Sequence, residues 1–285
     1  MSIADEQRVS ASGATTAQSA SQPDAYSPQV IRKLNALTSD FYAREAASFS
    51  ATRQAPWHGW EKAWELITAP DAAQGPFPSH AAVRDSLSSR AARIPDDYAS
   101  NSKDSLAVLD LGCGNLRFER FLAERTNAPL RVTALDNCPD LASPEIGALS
   151  AAFPHSLRSS SAASKTKEED ASGQGANPPE KTIVDLRALD IVESLLDGTF
   201  ADRLPRNSHD LAVAFGLMHH LPTFALRARV LEGILGSLRP GGFAVVSFWQ
   251  FLNAPRLAAK AATVTAEGRA AHCLPTFQEN DFLLG

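Results

Sequence analysis

Val108-Leu-Asp-Leu-Gly-Cys-Gly-Asn-Leu-Arg-Phe118 is the stretch that decides the fold of this chain. An apolar run from Leu106 to Leu111 stops at a turn that contains Gly112 and Gly114, and a helical pattern follows. This order predicts a strand that leads through a tight loop to the N-terminus of a helix. Glycine lacks a Cβ, so the loop backbone can take positive φ and approach a ligand closely. Such a loop is suited to hold a nucleotide-like cofactor, although a purely structural turn gives the same pattern.

The glycine pattern departs from the dinucleotide fingerprint. In G-x-G-x-x-G the third glycine would stand at position 117, where this chain has Arg117. This difference counts against a pyrophosphate-binding dehydrogenase. Asp110, at the end of the first strand, is predicted to orient the loop or to receive an ammonium group through water.

Apolar segments continue the strand–helix alternation after the loop. We predict strands at 106–111, 131–135, 183–189, 209–215 and 243–249, and the clearest helix at Leu226–Leu238, ended by Pro240-Gly-Gly242. Alternating strands and helices predict an α/β fold with a doubly wound, mostly parallel, Rossmann-like sheet. Residues 105–285 are expected to form this domain.

The remaining segments differ in composition. Residues 1–28 are rich in Ser, Ala, Thr and Gln, lack the pattern of a secretory signal, and predict a disordered tail. Residues 29–104 predict an α-helical N-terminal cap, with helices over about 28–50, 61–67 and 81–93. Residues 156–180 contain almost no large apolar side chain, so we predict a disordered insertion in the crossover after the second strand.

Composition restricts the function classes. Hydrophobic residues make up 44% and charged residues 21% of the 285 residues, as in ordinary globular proteins, and no apolar run approaches the roughly 20 residues of a membrane span. Cys113, Cys138 and Cys273 form no C-x-x-C pair, so we predict neither a disulfide framework nor a zinc site, and a cytoplasmic location. The net charge of −5, without a Lys/Arg block, weighs against tight nonspecific binding of nucleic acid.

Two aspartates follow the next two predicted strands. Asp136 stands about 20 residues after the glycine loop, where an acid accepts ribose hydroxyls in a βαβ unit. An exposed aspartate at a strand end is the alternative. Asp190 is placed to accept the exocyclic amine of adenine, while the backbone of Ile191 contacts the ring edge. Capping of a helix over 192–196 is the alternative for Asp190, and both roles can hold together.

The fourth predicted strand ends in Phe215 and Gly216, with His219 and His220 just beyond. Ligands bind at the carboxyl ends of strands in open α/β sheets, so these residues are candidates for the site. Adjacent histidines point in different directions, which suits a metal ion poorly, and we predict no metal. Either one histidine lines the site or both have packing and capping roles.

Taken in order, these motifs resemble those of class I S-adenosylmethionine-dependent methyltransferases. The matching segments are Val108–Asn115, Ala134–Asp136, Ala188–Ile191, Phe215–Leu221 and Leu238–Phe243. The resemblance covers residues 106–251 and implies S-adenosyl-L-methionine as the cofactor. The predicted cofactor-binding set is Asp110, Gly112, Cys113, Gly114, Asn115, Asp136, Asn137, Asp190, Ile191, Phe215 and Gly216.

The N-terminal segment has a narrower resemblance. Phe41-Tyr42, Phe49-Ser-Ala-Thr-Arg53 and Pro56-Trp57 are similar to the motif ahead of the cofactor domain in the tRNA wobble-uridine methyltransferase family. Members of that family methylate carboxymethyl-type uridines in the anticodon loop, which implies tRNA as the methyl acceptor and a small activating partner protein. Glu279–Gly285 is similar to the segment after which a member continues with a Trp and a further strand–helix unit, so a truncated C-terminus is expected.

Candidate acceptor-binding residues are Arg53, Trp57, His219 and His220. Arg53 is suited to bind a carboxylate of cofactor or substrate by a bidentate fork, or it is a surface arginine. Trp57 and Trp60 either stack on a base or anchor the N-terminal helices. No catalytic residue is assigned, because a carboxylate acceptor is already nucleophilic and needs no general base. A small-molecule methyltransferase and a noncatalytic partner protein with a methyltransferase fold are the alternatives.

Overall fold

The computed structural model of the chain describes residues 26–68, 105–142, 157–159, 182–275, 277 and 281–283. The helices are α1 (Pro28–Thr52), α2 (His58–Thr68), α3 (Arg117–Arg125), α4 (Ile191–Leu196), α5 (Phe200–Arg203), α6 (Phe224–Ser237) and α7 (Pro255–Ala271). The strands are β1 (Leu106–Leu111), β2 (Leu130–Asp136), β3 (Leu157–Ser159), β4 (Thr182–Ala188), β5 (His209–Ala214) and β6 (Leu238–Val246). The predicted helix at 81–93 lies outside the described residues.

The described strands form one six-stranded sheet in the order β3-β4-β2-β1-β5-β6, and every pairing is parallel. β1 pairs with β2 on one side and with β5 on the other, so the direction of winding reverses at β1. Without the short β3, the order is the 3-2-1-4-5 of a Rossmann sheet. The predicted α/β, doubly wound fold is therefore confirmed, and its switch point lies at the carboxyl ends of β1 and β5.

The central strands are apolar because helices cover both faces of the sheet. All residues of β1 and β5 are buried, as expected for strands in the middle of a parallel sheet. Side chains alternate between the two faces. On one face Val108 belongs to a cluster with Trp60 of α2 and Phe121 of α3. On the other face Leu109 belongs to a cluster with Ile234 of α6.

Helix α1 lies along the carboxyl-terminal edge of the sheet. Its side chains form hydrogen bonds with Asn137 after β2, Asp190 after β4 and His220 after β5. Its buried residues are Ile31, which belongs to the core cluster of one face of the sheet, and Ser50. None of the described helices is long and apolar enough to cross a membrane.

The described part of the chain begins before the predicted tail boundary. Tyr26 is only 4% exposed, and its hydroxyl donates a hydrogen bond to Asp281 at 2.6 Å. Its ring packs edge-on against Phe277, and Ser27 caps α1 by accepting from the backbone N–H of Val30. Partners from the distant C-terminal segment order these residues, which composition alone does not reveal. Residues 1–25 lie outside the described part.

Leu157–Ser159, which the sequence assigned to the insertion, form strand β3 at one edge of the sheet. They pair in parallel with β4, from Leu157 opposite Val184. A strand of three residues at a sheet edge can form through backbone pairing with β4. It does not require the run of apolar side chains by which strands were predicted from the sequence. Residues 160–181 lie outside the described part of the chain.

The start of β6 also differs from the prediction. Helix α6 ends at Ser237 and β6 begins at Leu238, so Pro240-Gly-Gly242 lies within the strand rather than in a turn. The register against β5 shifts between His209 and Leu211. Proline has no N–H for the ladder, and the irregularity at this point places it outside regular pairing.

Candidate functional site

The glycine loop after β1 has the backbone conformation that its sequence predicts. Gly112 (φ 75°) and Gly114 (φ 56°) are both left-handed. The N–H of Gly112 donates to the carbonyl of Leu135 at 2.7 Å, which fixes the start of the loop to β2. No described atom lies within 4 Å of the position a Cβ on Gly114 would take. The backbone at Gly114 is therefore open to close approach by a ligand.

A third left-handed residue, Leu116 (φ 55°, ψ 26°), stands immediately before α3. Its side chain is fully buried in the cluster that contains Trp60 and Phe118. The left-handed conformation costs a leucine about 1–2 kcal/mol, whereas full burial of its side chain contributes about 1.5–3 kcal/mol. The gain from burial therefore matches or exceeds the strain, which accounts for a leucine at a position that favours glycine.

Asp136 connects the glycine loop to the turn after β2. One of its carboxylate oxygens accepts from the N–H of Gly114 at 2.9 Å, and the other accepts from the N–H of Cys138 at 2.8 Å. Burial raises the pKa of Asp136, and the backbone N–H groups that donate to it act in the opposite direction. The residue predicted to bind ribose hydroxyls thus also holds the loop in place.

Asp190 adopts the capping role that the sequence offered as an alternative. It is the N-cap of α4, and its Oδ1 accepts from the N–H of Glu193 at 2.9 Å. Its Oδ2 accepts from the side-chain amide of Asn35 on α1 at 2.8 Å. Ile191, next in sequence, is buried in the core cluster of the second face. The cap does not exclude the predicted contact with adenine, because a carboxylate has about four acceptor positions.

Two asparagines of the predicted set also bind the N-terminal segment. The amide of Asn137 donates to the hydroxyl of Ser39 at 2.9 Å. Asn115, which is buried, donates to the backbone carbonyl of Arg53 at 3.0 Å. Through these contacts the segment that precedes the sheet is fastened to the ends of β1 and β2.

Phe215 and Trp57 lie together, although the sequence assigned them to different ligands. Their ring centroids are 6.1 Å apart, and Phe215 also packs against Phe118 at 4.8 Å and against Trp60 at 5.6 Å. Trp60 is buried and anchors α2, whereas Trp57 is 49% exposed. The N–H of Gly216 donates to the hydroxyl of Ser247 at 2.9 Å, which joins the ends of β5 and β6.

His220 has a partner that the sequence analysis did not assign. The hydroxyl of Tyr42 and Nε2 of His220 are 3.1 Å apart, and the two rings meet edge-on. Burial and the neighbouring His219 lower the pKa of His220 to about 3, so the imidazole is neutral at pH 7. Burial raises the pKa of Tyr42, and the charges of Arg53 and Asp136 act on it with opposite signs. The sequence does contain one signal of this contact: Asn35, Ser39 and Tyr42 are spaced so that their side chains lie on one face of a helix.

Three arginines surround the segment between α1 and α2. The guanidinium of Arg53 is exposed and lies 3.7 Å from the centroid of the Phe49 ring. Arg117 donates to the carbonyl of Ala55 at 3.1 Å, and Arg120 donates to that of Gln54 at 2.6 Å. Burial lowers the pKa of Arg117, and the charges of Arg53 and Arg120 lower it further. This positive surface, which we call the arginine cluster (Arg53, Arg117, Arg120), lies beside the N-terminus of α3.

Asp110 and Glu119 form a buried carboxyl pair beneath the glycine loop. Burial raises the pKa of Glu119 to about 7. Burial and then the charge of Glu119 raise the pKa of Asp110 well above its usual range. Without a shared proton, Oδ1 of Asp110 and both carboxyl oxygens of Glu119 find no donor among the described residues. The pair is therefore stable when it holds a proton, and Glu119 is a residue that the sequence analysis missed.

The thiol of Cys113 is buried inside the loop, and this burial raises its pKa well above the usual range, so the group stays neutral. Within the described parts of the chain, no three His, Cys, Asp or Glu side chains are placed to hold a metal ion. A cavity of about 210 Å³ lies between α5 and α6, lined by Phe200, Leu204 and Gly233 among others, and none of the predicted site residues lines it.

The structure thus brings most of the predicted residues to one edge of the sheet. The N–H of Gly114 donates a hydrogen bond to Asp136. The charges of Asp136 and Arg53 both act on the pKa of Tyr42. His219 is exposed, with its ring 5.3 Å from that of Trp249 after β6. Phe215 points into the aromatic cluster.

No protein-family model matches the sequence, and no curated protein matches it either. Solved structures do match. An S-adenosylmethionine-dependent methyltransferase from Methanosarcina mazei is 17% identical, with 56% of this chain and 60% of that chain covered and a TM-score of 0.34. One from Mesorhizobium loti is 22% identical, with 50% and 46% covered and a TM-score of 0.30.

A third similar structure is phosphoethanolamine N-methyltransferase 2 of Haemonchus contortus, solved with phosphomonomethylethanolamine and S-adenosylhomocysteine. It is 12% identical, with 76% of this chain and 38% of that chain covered and a TM-score of 0.33. This chain therefore spans 60%, 46% and 38% of the three proteins. The fold assignment rests on the strand order and register of this chain itself.

Replacing Leu116 tests the balance between strain and burial. Leu116→Ala loses the buried side chain and keeps the left-handed strain, so we expect unfolding free energy to fall by about 3–5 kcal/mol. Leu116→Gly also loses the side chain but relieves the strain, so it should be about 1 kcal/mol more stable than Leu116→Ala. Urea unfolding of both variants measures the difference. A glycine variant less stable than the alanine variant would contradict the account, because it would show no strain to relieve.

The carboxyl pair predicts a pH-dependent stability. Glu119 loses its proton near pH 4.5 when unfolded and near pH 7 when folded, so the unfolding free energy falls as pH rises between these values. We expect Glu119 to contribute a decline on the order of 3 kcal/mol from pH 4.5 to 7. Glu119→Gln should therefore decline less than the wild type by about that amount, while Asp110, whose pKa burial also raises, keeps its own decline. Urea unfolding at several pH values measures it, with exposed Glu124→Gln as the control. Equal declines in both variants would contradict the assignment.

Proposed function

We propose that the chain is an S-adenosylmethionine-dependent methyltransferase with its cofactor site at the carboxyl ends of β1, β2 and β4. The main support is one arrangement: the open glycine loop at the switch point of the sheet, bonded through Gly114 to Asp136. Ligands of doubly wound sheets bind at this point. The ordered series of motifs along the chain adds to the geometry.

The residues at this edge match the chemistry of the cofactor. The backbone N–H groups of Gly114 and Cys138 donate to the two oxygens of Asp136, and that of Asn137 also acts on the carboxylate. A carboxylate has about four acceptor positions, so capacity remains for a ribose hydroxyl. The amide groups of the loop stand at the N-terminus of α3, where the helix dipole favours the carboxylate of an amino acid. Asp190 is proposed to accept the exocyclic amine of adenine from the far side.

The bound cofactor supplies a methyl group on a positively charged sulfur. The protein must hold the acceptor in line with that group and keep water away. The charges of Asp136 and Arg53 act on Tyr42, and the imidazole of His220, which contacts Tyr42, is neutral at pH 7. A neutral pair adds no positive charge that would oppose the sulfonium. We assign these two side chains to positioning the acceptor and not to proton removal.

For the acceptor we propose a carboxylate carried by a modified wobble uridine of tRNA. The arginine cluster supports an anionic acceptor, since guanidinium groups bind carboxylates and phosphates through charge-assisted hydrogen bonds. The half-exposed ring of Trp57 beside this cluster offers a surface on which an unpaired base can stack. A carboxylate acceptor also agrees with the low pKa of His220, because an imidazole with a pKa of about 3 is a weak base and a carboxylate acceptor needs no general base.

Removing the Asp136 carboxylate should weaken cofactor binding. In Asp136→Ala the ribose loses its charged acceptor and Gly114 loses its hydrogen bond, so we expect the affinity for S-adenosylhomocysteine to fall at least about tenfold. Isothermal titration calorimetry measures it. Asp140→Ala, an exposed carboxylate four residues further on, is the control and should bind as the wild type does. Unchanged affinity in Asp136→Ala would remove the main support for the cofactor site.

Arg53 separates acceptor binding from cofactor binding. We expect Arg53→Ala to reduce methyl transfer to tRNA by about 10- to 100-fold, as for the loss of a charge-assisted hydrogen bond, and to leave affinity for S-adenosylhomocysteine within about twofold. Transfer of labelled methyl from S-adenosylmethionine to bulk tRNA measures the first, and calorimetry the second. Arg44→Ala, on the exposed side of α1, is the matched control.

The wild-type assay also tests the class of acceptor. Binding of S-adenosylhomocysteine without transfer of label to tRNA would contradict the tRNA proposal and favour a small-molecule acceptor. A loss of cofactor affinity in Arg53→Ala would instead place the guanidinium on the carboxylate of the cofactor.

A further inference from the structure

One face of α1 presents polar side chains at helical spacing toward the predicted cofactor site. We call Arg32, Asn35, Ser39 and Tyr42 the polar face of α1. The contacts are Arg32 with Glu193 at 2.8 Å, Asn35 with Asp190 at 2.8 Å, Ser39 with Asn137 at 2.9 Å and Tyr42 with His220 at 3.1 Å. Three of the four partners belong to the set predicted from sequence to bind cofactor or acceptor. The polar face therefore lies where the ligands are proposed to bind.

The contact between Asn35 and Asp190 has a defined orientation. An ionised carboxylate only accepts hydrogen bonds, so the amide nitrogen of Asn35 must face Asp190 and the amide carbonyl is the accepting end of the same planar group. Asp190 is also fixed from its other side, since Oδ1 accepts from the N–H of Glu193 at 2.9 Å. Two acceptors of fixed orientation, a carboxylate and an amide carbonyl, thus belong to neighbouring side chains.

We infer that Asn35 recognises the exocyclic amine of adenine together with Asp190, an inference that rests on the proposed cofactor site. An amine on an aromatic ring carries two N–H donors, which two neighbouring acceptors satisfy. A purine with an oxygen at the same ring position presents an acceptor to both groups and leaves them unpaired. The pair therefore selects a 6-amino purine against a 6-oxo purine, and Asn35 acts as a specificity-determining residue.

The surroundings of Asn35 are consistent with a ligand contact rather than with a purely structural one. The side chain is partly exposed, and the buried residues of α1 are Ile31 and Ser50. Ile31, one turn before Asn35, anchors α1 in the core cluster of the second face, so a ligand can share or replace the hydrogen bond of Asn35 while the helix stays packed. The two-point contact of Arg32 with Glu193 keeps the neighbouring turn of α1 in place.

The test compares two ligands that differ only at the ring position concerned. Calorimetry measures the affinity of the full chain for S-adenosylhomocysteine and for S-inosylhomocysteine, its 6-oxo counterpart. We expect the wild type to prefer the adenine ligand by about 100-fold, because the oxo group leaves two acceptors unpaired. In Asn35→Ala we expect adenine affinity to fall about five- to tenfold with little change for the oxo ligand, so the preference shrinks to about tenfold. Exposed Lys33→Ala is the control and should keep the wild-type preference.

The ratio of the two affinities separates recognition from a structural role. If Asn35 only holds α1, Asn35→Ala weakens both ligands equally and the preference stays at the wild-type value, which would overturn the inference even with a lowered melting temperature. If the wild type binds neither ligand, the proposed function itself fails, and this inference with it.

Discussion

The buried carboxylate of Asp136 is the interaction on which the site depends. It accepts one N–H from the loop after β1 and one from the turn after β2, so two neighbouring strands end at a common point. Two residues of the loop are glycines with left-handed backbones, and glycine loses more conformational entropy on ordering than other residues. The hydrogen bond to Asp136 helps to offset this cost. A short neutral side chain in place of Asp136 would leave the loop fastened to β2 only near Gly112.

Two kinds of attachment connect the N-terminal helices to the sheet. Helix α2 is anchored by Trp60, whose buried ring meets four other aromatic rings and belongs to the main apolar cluster of that face. Helix α1 is held by the buried side chain of Ile31 and by a row of hydrogen bonds along the edge. Apolar burial of a large ring contributes several times the net free energy of one hydrogen bond. The structure therefore combines a firmly packed face with a helix whose contacts can be exchanged one at a time.

The sequence predicts the parts of the fold that burial determines. β1 and β5 are recognisable because strands buried on both faces are mostly apolar, and Leu, Val and Ala make up most of both strands. β3 was not predicted, since the edge of β4 offers it backbone partners whatever its side chains are. Glu119 was missed because a charged residue on a helix is normally exposed, and only the orientation of α3 shows that it faces Asp110. The spacing of Asn35 and Tyr42 is visible in the sequence, but their partners lie more than 150 residues away and emerge only once the strands are ordered.

Helix α1 is continuous for 25 residues, and this continuity links its two ends. Asn35 lies at the end of β4, while Arg53 follows directly after the last turn beside the glycine loop. A ligand that shifts the position of α1 at one end changes its position at the other, and the free energy of such coupling is the same whichever ligand arrives first. On the proposed function, binding at the Asn35 end and binding at the arginine cluster would then be reciprocally coupled, with no contact needed between the two ligands.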